Sequence, residues 1–326
     1  MDLSILSIPG GKVSSSSDPT TASKPNGAVD KGLVHKHAEA EVLLSDFEIR
    51  STASIISLAR WPTEHDHYKS AAHTLDVLLM AETFRQASIL LCHARLGVPL
   101  GWVFVMDSIC LDVCKHGSVW EQRAPITVQV DAVKVEERSG QPFTLGIESH
   151  FSAGSILVGQ GNGQLRVLDP RVYTRLRGPA STSSNRDLPR RENHQSAFAL
   201  HEIVDYQMLG AWQLDFDPID PFFFDHAVDH VPGMLLVAAL RDAALEAAKV
   251  KGGEVVAFEI HFMRYLELDE PILLGARPGS SATIGDRVRL HLTVTGSGGR
   301  IAAEALATVA PQKTNDAGAP SPLPMD

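Results

Sequence analysis

The sequence predicts an α+β fold: two antiparallel sheets in tandem, each curled around one central helix. Three observations predict it. A fixed offset of 156 residues superposes two blocks of the 326-residue chain. Each block carries one long, nearly all-apolar helix pattern. Stretches of strict apolar–polar alternation follow each helix, as strands with one buried and one wet face require. At roughly 150 residues per domain, the length suits two such units.

The repeat rests on particular pairs. Leu78-Leu79 falls on Met234-Leu235, Arg85 on Arg241 and Ala87 on Ala243. Beyond the helix, Trp102-Val103-Phe104 falls on Phe258-Glu259-Ile260, so a gap-free correspondence through loop and next strand is expected. Two copies of one unit suggest a face-to-face pair.

In order along the chain, residues 1–33 are rich in Ser, Pro, Gly and Lys and read as a flexible leader. Residues 34–169 form the N-terminal domain. It holds strand patterns at Glu41–Arg50 and Ser54–Trp61, a helix at Leu75–Leu96, and alternation of Ile126, Val128 and Val130 with Thr127 and Gln129. Residues 170–197 carry Pro179, Ser181, Ser183 and Ser184 with Arg171, Arg175, Arg177, Arg186, Arg190 and Arg191. This segment reads as a solvated linker rather than a phosphate-attracting arm. Residues 198–310 form the C-terminal domain: weaker strand signals around Leu200–Phe216, a helix at Val231–Lys251, and alternation through Val288, Leu290, Leu292 and Val294. Residues 311–326 are a Pro/Ala/Asp tail.

Composition excludes several classes. With 44% hydrophobic residues, the chain is neither wholly disordered nor collagenous. Twenty-nine Lys+Arg against 39 Asp+Glu give a net charge of −10, a poor footprint for nucleic acid. The longest apolar stretch, Leu75–Leu91, is broken by Glu82, Arg85 and Gln86, so no membrane span is expected. Cys92, Cys110 and Cys114 are odd in number and sparse, as in a reducing compartment, and Met1–Lys12 lacks a signal-peptide pattern. A cytoplasmic protein follows. Cys110 and Cys114 lack a second ligand pair, and His65, Asp66 and His67 lack a further partner, so no metal is expected. Gly159–Gly163 lacks the Lys-Ser/Thr ending of a phosphate loop and reads as a strand turn. No cofactor is implied.

Two places carry chemistry. In the first helix Glu82, Arg85 and Gln86 stand at i, i+3 and i+4, on one face. A charged pair in a buried helix is costly unless paired or functional. It either closes on itself as a salt bridge or belongs to a site. The second helix follows Phe224-Asp225-His226-Ala227-Val228-Asp229-His230-Val231-Pro232-Gly233-Met234. Pro232 suits the first helical position, Gly233 admits close approach to the backbone, and free N–H groups there can meet an anion. His226 and His230 can act as base or acid near neutral pH. The plain alternative is that Asp229 or His230 caps the helix.

That string resembles the signature of the A-factor biosynthesis (AfsA) hot-dog family, as do Ala81-Glu82-Thr83-Phe84-Arg85-Gln86-Ala87 and the opening Leu33-Val34-His35-Lys36 with Glu41-Val42-Leu43-Leu44. The resemblance implies a tandem double hot-dog. It also implies transfer of a β-ketoacyl group from an acyl carrier protein thioester to the hydroxyl of dihydroxyacetone phosphate or a similar small phosphorylated acceptor, in γ-butyrolactone signal synthesis. The family pattern places Glu three residues before Arg in both helices. The first copy keeps Glu82 and Arg85; the second has Arg241 but Ala238 where Glu is expected, with Asp242 where Gln is usual. Asp242 is one residue from Arg241, a step of about 100°, and so does not replace that carboxylate.

In an acyl-transfer scheme Glu82 is the base, with burial raising its pKa and Arg85 pulling it back down so that the net direction stays open; His230 is the alternative base, and the Gly233 N–H meets the oxyanion. Arg85, Arg241 and Arg264 are candidates for the acceptor phosphate, with Gln86, Asp229 and His226 as further binding residues. Glu82 and His230 would line one shared site. The rival readings are a non-catalytic acyl- or butyrolactone-binding protein, and a hot-dog dehydratase or thioesterase. A homo-oligomer is left open.

Overall fold

The structure, a computed structural model, describes residues 29–62, 64–68, 76–114, 125–188 and 196–311. The first half contains β1 (Leu44–Ser51), β2 (Ser54–Ala59), α1 (Val77–Ala94), β3 (Val103–Val113), β4 (Ile126–Arg138), β5 (Gln141–Ala153) and β6 (Ile156–Leu168). A short helix α2 (Pro170–Arg177) follows. The second half contains β7 (Phe198–Glu202), β8 (Gly210–Phe216), α3 (Gly233–Ala248), β9 (Gly253–Phe262), β10 (Ile272–Ile284), β11 (Arg287–Thr295) and β12 (Ile301–Pro311).

The twelve strands form one antiparallel sheet in the order β1-β2-β4-β5-β6-β3-β9-β12-β11-β10-β8-β7. The second six mirror the first six, and the halves join where β3 pairs β9 from Ser108↔His261 to Asp112↔Ala257. One helix lies against each half: α1 packs on β1 to β4 and reaches β9, α3 packs on β7 to β12, and the two helices touch. This is the tandem double hot-dog, with its two sheets continuous through the β3–β9 ladder.

Local chemistry explains the elements. β4 and β5 meet through Ser139 and Gly140, both at positive φ, as a two-residue hairpin with matching twist requires. Helix α1 is capped by the Asp76 carboxylate, which accepts from the Leu78 N–H at 2.8 Å. Sixteen of its 18 residues are buried; the exceptions are Arg85 and His93.

The glycine run is not a strand turn. It lies inside β6, where Gly159, Gly161 and Gly163 alternate on the face under α1. A Cβ on Gly159 would stand 2.6 Å from the Met80 side-chain tip, and one on Gly163 about 3.1 Å from the Phe84 ring. The glycines let the helix lie close on the sheet.

The repeat is exact only at the helix starts, Val77 and Gly233. The next strands start at Val103 and Gly253, 150 residues apart, because α3 is shorter than α1 and its following loop is shorter too. The gap-free match expected beyond the helix therefore fails. α3 also begins two residues later than the expected Val231: Pro232 is its N-cap rather than its first residue, and Gly233 opens the helix.

Two segments are more ordered than expected. Val29, placed in the leader, is buried and its N–H donates to the Leu44 carbonyl; residues 1–28 lie outside the described residues. The segment 170–197 is not simply a solvated linker, because it opens with α2 and its Asn185 is buried, donating to the Pro218 carbonyl at 2.7 Å. Residues 189–195, and 312–326 of the tail, lie outside the described residues. No helix among the described residues is long and apolar enough to cross a membrane.

Candidate active site

The site starts from the i, i+3, i+4 face of α1. Arg85 grips Glu82 as a fork: Nε donates to Oε2 and Nη2 to Oε1, both at 2.8 Å. The Gln86 amide donates to Glu82 Oε1 and to the Glu41 carbonyl, each at 2.8 Å, and its oxygen accepts the Leu43 N–H. Gln86 thus tethers the chain entering β1 to the helix. Glu82 is 2% exposed, whereas the Arg85 side chain is 22% exposed, so the pair opens on its arginine side.

The second half completes the cluster. Buried Lys36 stands 3.9 Å from Glu82 Oε1 and 3.5 Å from Asp225 Oδ2, and donates to the Phe222 carbonyl. Asp225 also accepts the His37 N–H at 3.1 Å and holds Nδ1 of His226. His226 is 44% exposed and stacks on His37. A carboxylate on one histidine nitrogen leaves the other turned outward, the arrangement of an oriented general base.

The electrostatics keep the two carboxylates, Glu82 and Asp225, charged. Burial acts to raise the Glu82 pKa, but Arg85 and Lys36, with hydrogen bonds from Arg85 and Gln86, outweigh it and hold it below its usual value. Burial also opposes ionisation of Asp225, yet the hydrogen bond from His226 and the charge of Lys36 keep it well below the carboxylate range. Of the two opposing effects on Glu82, the pull of the neighbouring cations wins over burial.

Beside Arg85 lies a histidine pair. Nε2 of His35 is 3.1 Å from Nε2 of His93, and His93 Nδ1 is 2.8 Å from the Val98 carbonyl. The network assigns the tautomers: His93 donates from Nδ1, so its Nε2 accepts from His35. Burial first, then His93, Arg85 and His226, pushes His35 down to about 4.

A second cluster forms at the start of α3. Asp229 accepts from Tyr173 at 2.7 Å and Arg177 Nε at 3.0 Å, and holds His230 Nδ1 at 2.6 Å. Arg177 also forks onto Glu267 at 2.9 Å and lies over the Tyr265 ring. The first N–H groups of α3 have no side-chain cap.

The structure thus joins Glu82, Arg85, Gln86 and His226. It does not join His230 to Glu82: His230 and Asp229 belong to the second cluster, with Gly233 beginning the helix beside them. Arg241 lies elsewhere, 4% exposed, donating to Asp76 at 2.6 Å, Asp242 at 3.0 Å and the His67 carbonyl. Adjacency of Asp242 did not prevent this, because the arginine side chain is long enough to fold back. Asp76 and Asp242 supply the charge that Ala238, fully buried on α3, does not. Arg264 stands 3.6 Å from Glu270 and donates to the Tyr265 and Arg300 carbonyls, while its buried Nε has no hydrogen-bond partner among the described residues.

Sequence reasoning missed Lys36, Asp225, His35, His93, Tyr173 and Arg177 as site residues. The first three stood inside the quoted strings, and that was the available signal.

The pattern of the A-factor biosynthesis hotdog domain matches residues 17–169 and 191–311. A 2-oxo-3-(phosphooxy)propyl 3-oxoalkanoate synthase of Streptomyces virginiae is 31% identical over 284 residues, 82% of this chain and 92% of that protein. The synthase of the same name from Streptomyces coelicolor is 34% identical over 236 residues, 67% of this chain and 73% of its own. Among solved structures, an acyl-ACP thioesterase from Bacteroides thetaiotaomicron is 12% identical, covers 78% of this chain and 96% of its own, with a TM-score of 0.48. The matched segments take in both six-stranded halves, and the chain belongs to the A-factor biosynthesis (AfsA) hot-dog family.

Proposed function

We propose that this chain is an acyltransferase that moves a 3-oxoacyl group from an acyl carrier protein thioester to the hydroxyl of dihydroxyacetone phosphate, in butyrolactone signal synthesis. The observation that carries the reading is the Glu82–Arg85 pair of one half opening beside the Asp225–His226 dyad of the other. The names of the Streptomyces relatives supply the 3-oxoalkanoate and the phosphooxy-propyl acceptor.

His226 takes the hydroxyl proton while Asp225 holds the ring and balances its charge. The hydroxyl oxygen bonds to the thioester carbon, and the tetrahedral intermediate expels the carrier thiolate, which takes the proton back from His226. Arg85, aligned by Glu82, receives the acceptor phosphate on its exposed edge. The uncapped N–H groups of Gly233 and Met234 are the candidates for the oxyanion. Glu82 is thus a positioning residue, and the base moves from Glu82 and His230 to His226. The division into residues 34–169 and 198–310, and a cytoplasmic workplace, belong to the same reading.

Loss of the second-copy Glu at Ala238 favours one rival, a binding protein without turnover. Incubation of the full chain with a 3-oxoacyl carrier protein, with and without dihydroxyacetone phosphate, decides. Carrier thiol released only with the acceptor, and a product of matching mass, is expected. Release with water alone means a thioesterase; no release means a binder.

A further inference from the structure

We propose that the outer face of α2 is the docking ridge for the acidic carrier protein that delivers the thioester; this rests on the acyl-transfer reading. The inner face of α2 is fixed. Tyr173 and Arg177, one turn apart, hold Asp229 and Glu267 beneath the helix. The outer face is left to solvent. Val172 is 38% exposed and Leu176 65% exposed, four residues apart, so they form one apolar stripe. Arg171 and Arg175 flank the stripe with the same spacing, and Arg186 is exposed in the 3-10 turn Asn185–Asp187 that follows. None of these three arginines has an ion-pair partner among the described residues.

An apolar stripe bordered by guanidinium groups that have no ion-pair partner among the described residues fits a partner that offers an apolar knob beside carboxylates. The remainder of the molecule argues for the same assignment. The chain has a net charge of −10, so its general field repels an acidic partner, and a local basic ridge fixes where such a partner can land. Position argues for the acyl donor rather than another acidic protein. Through Tyr173, α2 holds Asp229, three residues after His226, so a carrier seated on α2 stands beside the loop that bears the proposed base.

The test compares two donors: the 3-oxoacyl group on its carrier protein, and the same group on pantetheine. The double variant Arg171→Glu/Arg175→Glu is expected to raise KM for the carrier-bound donor by about tenfold or more and to flatten its salt dependence. Kinetics with the pantetheine donor are expected to stay as in the parent protein. An unchanged KM for the carrier overturns the ridge. Equal losses with both donors also overturn it, since α2 would then be supporting the site. A parent protein that is dimeric by light scattering, with a monomeric variant, assigns the ridge to a second copy instead. If the parent protein turns over neither donor, the acyl-transfer reading itself fails and the ridge fails with it; turnover of pantetheine alone removes only the ridge.

Discussion

Replacing His226 with alanine removes the ring that Asp225 orients, and is expected to lower kcat by about two orders of magnitude with the fold intact. His230→Ala should cost far less than that, because His230 belongs to the cluster under α2; rates for the two variants, measured side by side, check the assignment. A reversed ranking would return the base to His230. His35 gives a second expectation, on stability. It stays neutral down to about pH 4, whereas an ordinary histidine titrates at 6.5. The unfolded chain therefore binds the proton first as pH falls. This contribution is complete above pH 6.5, is lost progressively towards pH 4, and costs about 2 kcal/mol at pH 5. Urea unfolding at pH 7 and pH 5 should show the drop, and His35→Gln should shrink it. Tyr68 behaves differently: it is 3% exposed and its hydroxyl has no hydrogen-bond partner among the described residues. Tyr68→Phe should leave stability equal or raise it by up to about 1 kcal/mol, read as a melting temperature. At this scale the sequence made Glu82, Arg85 and Gln86 legible, because helical spacing is periodic. Lys36 and Asp225 lie 46 and 143 positions from Glu82, and no local period signals contacts at such distances.

The glycines of β6 show what elements demand. Gly163→Ala would drive a methyl into the Phe84 ring and against the Ser108 carbonyl, neither of which yields. Gly159→Ala meets mainly the flexible end of Met80. Thermal unfolding should therefore show about 1–3 kcal/mol lost for Gly163→Ala and clearly less for Gly159→Ala. The same glycines hid the strand: β6 turns Gly rather than large apolar residues towards α1, so apolar alternation vanishes where the helix packs most closely. β4 and β11 were legible from alternation, and both long helices from their apolar runs, with ends within about three residues. α2 was missed, because eight polar-rich residues do not form a helix on propensity alone; Tyr173 and Arg177 are held by Asp229 and Glu267 far along the chain.

Across the whole molecule, Arg241 ties the halves together by reaching from α3 to Asp76, the cap of α1. Arg241→Met would take the guanidinium from its buried ion pair with Asp76 and cost about 3–5 kcal/mol by urea unfolding. The KM for the acceptor, measured cold on folded protein, should not move; an increase would restore the arginine to phosphate binding. The duplication was legible in the 156-residue offset, but the seam was not, since the edges that pair are fixed by long-range register. That seam, the β3–β9 ladder, is made within one polypeptide. Two separate subunits would drift apart on dilution, each carrying away half of the chemistry, whereas here the partner concentration is set by the backbone and never falls. A cell can therefore keep such a protein scarce, and every copy present still holds a whole reaction chamber.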